Sequence, residues 1–162
     1  MSHSGDVMYV EPICQTVSVK ATAARAFEVF TAGMQRWWLP THSINPGKSP
    51  IARIVIEPKQ GGRWYECGED GSECDWGHVL VWEPPTRIVL AWQIDSQWQF
   101  NPALITEVEV RFQAQAAGLT KVILEHRQLE RFGDAAANMR AALSSLGGWS
   151  GLLDRYATTL QP

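Results

Sequence analysis

The sequence predicts an α+β fold, with an antiparallel sheet of about seven strands carrying its helices on one face. Three observations predict it. Seven segments show the alternation of a β-strand. Six of them follow one another, most through short turns rich in glycine and proline, which is the connectivity of antiparallel neighbours. The third is residues 134–160, which carry one apolar helical stripe and form the only long cover available for an apolar sheet face.

The elements follow in order. Residues 13–20 form the first strand, with Ile13, Gln15, Val17 and Val19 on one face. Thr22 is placed to cap a helix over 23–31, whose buried side should be Ala26, Phe27, Val29 and Phe30. Gly33 ends it, and 34–38 should form a short second helix stopped by Pro40. Residues 41–50 are a loop. Strands are expected at 51–57, 63–67, 74–82, 87–94, 105–113 and 120–127. Gly68-Glu69-Asp70-Gly71 is a hairpin signal. In 105–113, Thr106, Val108, Val110 and Phe112 should face inward, with Glu107, Glu109 and Arg111 toward water.

The C-terminal stripe comprises Met139, Ala142, Leu146, Trp149, Leu153, Tyr156 and Leu160, in steps of three and four. Gly147 and Gly148 interrupt it, each costing about 1 kcal/mol in a helix interior. With Ser144 and Ser145 just before them, they favour a break. Because the stripe continues in register, both halves should face the same core.

The chain has 162 residues, enough for one domain with a real core, and residues 1–8 are expected to be disordered. A net charge of -3 without any basic run argues against nucleic acid or an anionic membrane surface as partner. No apolar run approaches the roughly 18 residues of a membrane span, and the polar start lacks a signal peptide's apolar core, so a cytoplasmic location is expected. Cys14, Cys67 and Cys74 should be free thiols. Cys67, Cys74 and His78 flank one hairpin, but without paired C-x-x-C spacing or an obvious fourth ligand. Neither a metal nor a cofactor is expected.

The strongest compositional signal is eight tryptophans. A curved sheet wrapped round one helix leaves space between them, and indole faces suit the wall of such a space. The expected ligand-binding residues are Trp64, Trp92, Trp149 and His126, with Trp37 and Trp38 near the mouth. No catalytic residue is assigned. An enzyme would need a polar group in the cavity, for which His126, His78 and Glu66 are the candidates. The alternation does not place His78 on either face, and charged strand residues such as Glu66 ordinarily face water. No nucleophile elbow, P-loop or dinucleotide glycine pattern is present.

Several stretches carry a resemblance. They are Ala23-Ala24-Arg25-Ala26-Phe27 leading to Trp37-Trp38, Glu57-Pro58 with Gly61-Gly62-Arg63-Trp64, and Gly77-His78-Val79. Further along come Trp82-Glu83-Pro84-Pro85 with Arg87-Ile88-Val89-Leu90-Ala91-Trp92, Thr106-Glu107-Val108-Glu109-Val110, Gly118-Leu119-Thr120-Lys121-Val122 and Gly148-Trp149. In this order and spacing the chain resembles the homologues of the heat-shock-protein ATPase activator, within the START-like (SRPBCC, polyketide-cyclase-like) superfamily. The resemblance implies the helix-grip fold, a curved antiparallel sheet around the C-terminal helix. It also implies a range of functions: binding of a hydrophobic or aromatic small molecule, cyclase or hydrolase chemistry on a polyketide-like substrate, or a co-chaperone role in stress response. The partner expected first is a hydrophobic small molecule, with a chaperone and a homodimer as alternatives.

Overall fold

The computed structural model describes residues 9–45, 47 and 49–161; residues 1–8, expected to be disordered, lie outside them. Strands β1 (Ile13–Val19), β2 (Ile51–Ile56), β3 (Arg63–Gly68), β4 (Glu73–Glu83), β5 (Arg87–Trp92), β6 (Thr106–Ala116) and β7 (Leu119–Arg127) form one antiparallel sheet. Its order is β1-β7-β6-β5-β4-β3-β2. The sheet curls into a half-barrel around the C-terminal helices, so the α+β helix-grip architecture is the one observed. Five of the six pairings join strands adjacent in sequence; the exception brings β1 to β7, with Ile13 opposite His126 and Val17 opposite Val122.

Helix α1 (Ala23–Thr31) starts where Thr22 accepts a hydrogen bond from the Arg25 N–H at 3.1 Å. It buries Ala26, Phe27, Val29 and Phe30 as its sequence requires. The short helix expected at 34–38 is a single 3-10 turn, Met34–Arg36. Pro40 follows too soon for an α-helix to develop. This turn still fixes Trp37, whose Nε1 donates to the Val29 carbonyl at 3.0 Å.

The C-terminal segment is broken, as the glycines and serines suggest. A 3-10 segment, Leu129–Ala135, leads into α2 (Ala136–Ser144), and α3 (Trp149–Thr159) follows after a turn. The expected continuity of the stripe is corrected. Ser145 is extended, with φ -76° and ψ 179°, so α3 restarts in a new register. Leu146 is consequently 78% exposed and Ala142 is exposed, while Leu143 and Leu152 take the inward places. Of the two glycines only Gly148 meets a steric demand. A Cβ there would stand 2.2 Å from the Leu143 carbonyl oxygen, whereas at Gly147 the nearest atom would be 3.8 Å away. Helix α3 is tied to α1 by the buried Tyr156 hydroxyl, which donates to the Ala26 carbonyl at 2.7 Å.

Glu109 is a second correction. It lies on the outer face of β6 as expected, yet it is 4% exposed. Guanidinium groups from neighbouring strands cover it, since Arg87 and Arg127 both donate to its carboxylate and Arg111 stands 3.4 Å away. Burial alone would raise its pKa. The three arginines outweigh burial and hold the carboxyl down at about 2. Glu109→Ala leaves Arg87 and Arg127 side by side without that carboxylate. A loss of about 2 kcal/mol in urea unfolding at neutral pH is expected, discounted because both arginines are partly solvated. An unchanged midpoint would show that the network is ornamental to stability.

Candidate functional site

The inner face of the sheet and the C-terminal segment meet over a continuous aromatic cluster. Trp38 packs on Trp76 at 5.0 Å between ring centroids, Trp76 on Trp64 at 5.5 Å, and Trp64 on Trp92 at 5.8 Å. Trp149, the first residue of α3, touches both Trp38 and Trp92. Most contacts are edge-to-face, the arrangement that indole quadrupoles favour. This is where Gly148 matters: the close approach to Leu143 lets Trp149 enter the cluster at the start of a fresh helix.

Beside the cluster lies a pocket of about 480 Å³. Its floor is Trp38, Trp76, Trp92, Trp149, Leu143 and Leu152, all buried. Its rim comes from three irregular segments. The loop after the 3-10 turn gives Thr41, His42, Ser43 and Ile44. The segment after β5 gives Ile94 and Trp98, and the α2–α3 turn gives Ser145, Gly147 and Gly148. Trp98 is 45% exposed and stands at the edge. Most of the floor's indole donors are used internally. Trp76 Nε1 donates to Glu66 at 2.9 Å, Trp92 Nε1 to the Ile94 carbonyl at 3.1 Å, and Trp149 Nε1 to His126 at 3.0 Å. Trp38 Nε1 is buried without a hydrogen-bond partner among the described residues.

Of the residues singled out from sequence, Trp38, Trp92 and Trp149 line this pocket. Trp64 and Trp37 lie behind its wall in the core, both fully buried. His126 is also behind the wall. It is fully buried, its Nδ1 accepts from Trp149 Nε1, and its Nε2 lies 2.8 Å from Thr106 Oγ1. Because the indole can only donate, the imidazole proton sits on Nε2 and points to Thr106, whose hydroxyl passes its own hydrogen to the Trp92 carbonyl at 3.3 Å. Burial pushes the His126 imidazole down to about 3, so it is neutral near pH 7.

The other candidates for chemistry are equally committed. His78 is half-buried and bonds through Nδ1 to Gln93 at 2.8 Å. Glu66 does not face water, contrary to the expectation for a charged strand residue; it is 0% exposed on the inner side of β3. It accepts hydrogen bonds from Ser43 Oγ, from the Ile44 N–H at 2.8 Å and from Trp76 Nε1. None of the three lines the pocket.

The side chain that sequence reading passed over is His42. It is the only ionisable group among the described pocket-lining residues, and its Nε2 lies 2.9 Å from the Gly147 carbonyl oxygen, across the mouth. The one available signal was its position, four residues after Trp37-Trp38, a pair expected at the mouth. Cys67 and Cys74 remain free thiols, and burial raises the Cys74 pKa. Among the described residues no group of three or more His, Cys, Asp or Glu side chains is gathered as metal ligands would be, and no helix is long and apolar enough to cross a membrane.

A curled sheet, a broken helix laid along it and an indole-floored pocket between them define a START-like protein of the helix-grip class. The chain belongs to the family described as Activator of Hsp90 ATPase homolog 1-like protein, whose profile matches residues 20–161. Among solved structures it is similar to Txn09, an anthrahydroquino-γ-pyrone synthase. The two are 37% identical, the match covers 93% of this chain and 97% of that one, and the TM-score is 0.65. It is also similar to CalC, a self-sacrificing resistance protein from Micromonospora echinospora, at 27% identity, 93% and 94% coverage and a TM-score of 0.69. The Aha1 dimer from Colwellia psychrerythraea shares the fold at 15% identity, 93% and 96% coverage and a TM-score of 0.60. No curated protein matches the chain.

Proposed function

We propose that this protein binds a planar polycyclic aromatic compound of the polyketide type in the pocket between the sheet and the C-terminal helices. The observation that carries this reading is the pocket floor itself, four buried indoles around a space of about 480 Å³. That volume falls within the range of about 300–1,000 Å³ usual for small-molecule sites. Apolar burial supplies the affinity, and among the described lining residues none is Asp, Glu, Lys or Arg, which favours an uncharged ring system. The similarity to Txn09, whose name gives an anthrahydroquinone-derived product, points to the same chemical class.

Titration with 1,8-dihydroxyanthraquinone, read by tryptophan fluorescence, tests this. Saturable quenching is expected. Ala142→Trp, at an exposed position on the pocket wall, should weaken binding at least about tenfold while leaving the unfolding midpoint in place. Equal quenching in both proteins would place the ligand elsewhere and overturn the proposal.

Ring closure on such a compound is the second reading, favoured by His42 and by the 37% identity to a synthase. Closing a pyrone by adding a hydroxyl oxygen to an unsaturated carbon forms one C–O bond. It moves one proton from oxygen to carbon and needs no oxidant. The pocket would hold the two reacting ends together, which can contribute several kcal/mol, and a single imidazole can take the proton and return it. An ortho-hydroxyaryl alkynyl ketone is the probe. Accelerated cyclisation that disappears in His42→Ala supports the reading; a rate indifferent to the protein rejects it and leaves binding alone.

A further inference from the structure

We infer that the Gly147 carbonyl and the Glu66 carboxylate are the positioning groups of this pocket, together holding His42 as its Nε2–H tautomer and leaving Nδ1 as the proton-accepting atom. The catalytic use of Nδ1 rests on the ring-closure reading; the tautomer does not.

A carbonyl oxygen can only accept. At 2.9 Å from Gly147 O, His42 Nε2 must therefore carry the hydrogen. In a neutral imidazole the lone pair is then on Nδ1. The backbone of the same residue is held from the other side. The His42 N–H donates to Leu39 O at 2.9 Å, and the two residues that follow are bound to one carboxylate. Ser43 Oγ donates to Glu66 Oε2, and the Ile44 N–H donates to Glu66 Oε1 at 2.8 Å. Trp76 Nε1 is a third donor to that carboxylate.

A fully buried carboxylate is a costly way to fill a core position where a leucine would pack. Three converging donors offset the cost, and two of them belong to the loop that carries His42. The imidazole is thus fixed at its backbone by β3 and at its ring by the α2–α3 turn. A base oriented by a second group is the general requirement of proton-transfer sites.

Long-range proton–nitrogen correlation spectra of protein labelled at histidine read the tautomer directly. The wild type is expected to show His42 with its proton on Nε2 and a pyridine-like Nδ1. Glu66→Gln keeps the size but replaces one accepting oxygen with an NH₂ group. It should average the two nitrogens and lower kcat on the alkynyl ketone about 10²-fold, with KM changed less than about threefold. Ser43→Ala removes one of the loop's two bonds and should produce a smaller change in the same direction, which decides the matter if Glu66→Gln fails to fold. A wild-type His42 that exchanges between tautomers, or is protonated on Nδ1, overturns the inference. So does a fall in kcat in both variants with the wild-type tautomer retained. A fixed Nε2–H tautomer without turnover of the probe supports the positioning and rejects ring closure instead.

Discussion

Between pH 6.5 and about pH 3, the unfolding free energy of this protein should fall by up to about 1.4 kcal/mol per pH unit on account of His126 alone. In the unfolded chain the imidazole takes up a proton as the pH drops below about 6.5. In the folded protein it does not do so until about 3, because burial opposes the charge. A protonated Nδ1 would moreover confront the Trp149 N–H, donor against donor. The unfolded state therefore binds more protons throughout the window, and stability declines as pH falls. Above 6.5 both states are neutral and the slope from this group vanishes.

Glu109 adds a separate loss between its ordinary value of 4.5 and about 2, since its folded pKa is depressed and the stability it contributes at neutral pH disappears on protonation. The interval from 6.5 to 4.5 thus isolates the histidine. His126→Asn keeps an acceptor near Trp149 and cannot titrate. Urea unfolding at a series of pH values should show a lower baseline stability for this variant and a flattened slope in that interval. A wild-type slope in the variant would remove His126 as the cause.

Gly77→Ala is expected to cost about 3 kcal/mol or more, a large fraction of the stability of a domain this size. Gly77 lies opposite Trp64 on β3 and Trp92 on β5, between irregularities in register at Trp64/Tyr65 and at Val79/Val81. There the strands approach so closely that a Cβ would sit 1.7 Å from the Ala91 carbonyl oxygen and 3.5 Å from the Trp64 ring. The obstruction is backbone, so no flexible side chain can swing aside. Gly147→Ala is the matched control, with nothing nearer than 3.8 Å, and should change stability by less than about 0.5 kcal/mol. A wild-type unfolding midpoint for Gly77→Ala would show that β4 and β5 can separate at no cost.

The sheet was legible because alternation in 13–20, 105–113 and 120–127 is a local property, and short turns constrain the pairing. Legibility failed where a local rule met a distant partner. The outer face of β6 can be read from alternation, but not the arginines on β5 and β7 that bury Glu109 there. Glu66 sits inward because Ser43 and Ile44 fold over it, more than twenty residues away in the chain. His78 had no readable face because both alternating sets of its strand are apolar, and register irregularities in β3–β4 and β4–β5 interrupt the period of two there as well. The helical stripe predicted that its register would survive the break at the glycines; the extended Ser145 resets it, which moved Leu146 to the surface. His42 belongs to a loop with no periodicity, and its contact with Gly147 spans 105 positions. Tryptophan content pointed to this cluster but could not distinguish pocket wall from core, because Trp64 and Trp92 lie on β3 and β5, the two strands that flank β4, with equal propensity.

The broken C-terminal helix has a consequence for how such a pocket can diversify. Its floor is a cast mould: three indoles are pinned by Glu66, Ile94 and His126, and changing any of them disturbs the core. Its rim is interchangeable, because Thr41, Trp98 and Ser145 are exposed and sit on loops. Lineages could therefore retune which molecule is admitted by editing the border, at little thermodynamic expense, while the shape underneath stays inherited.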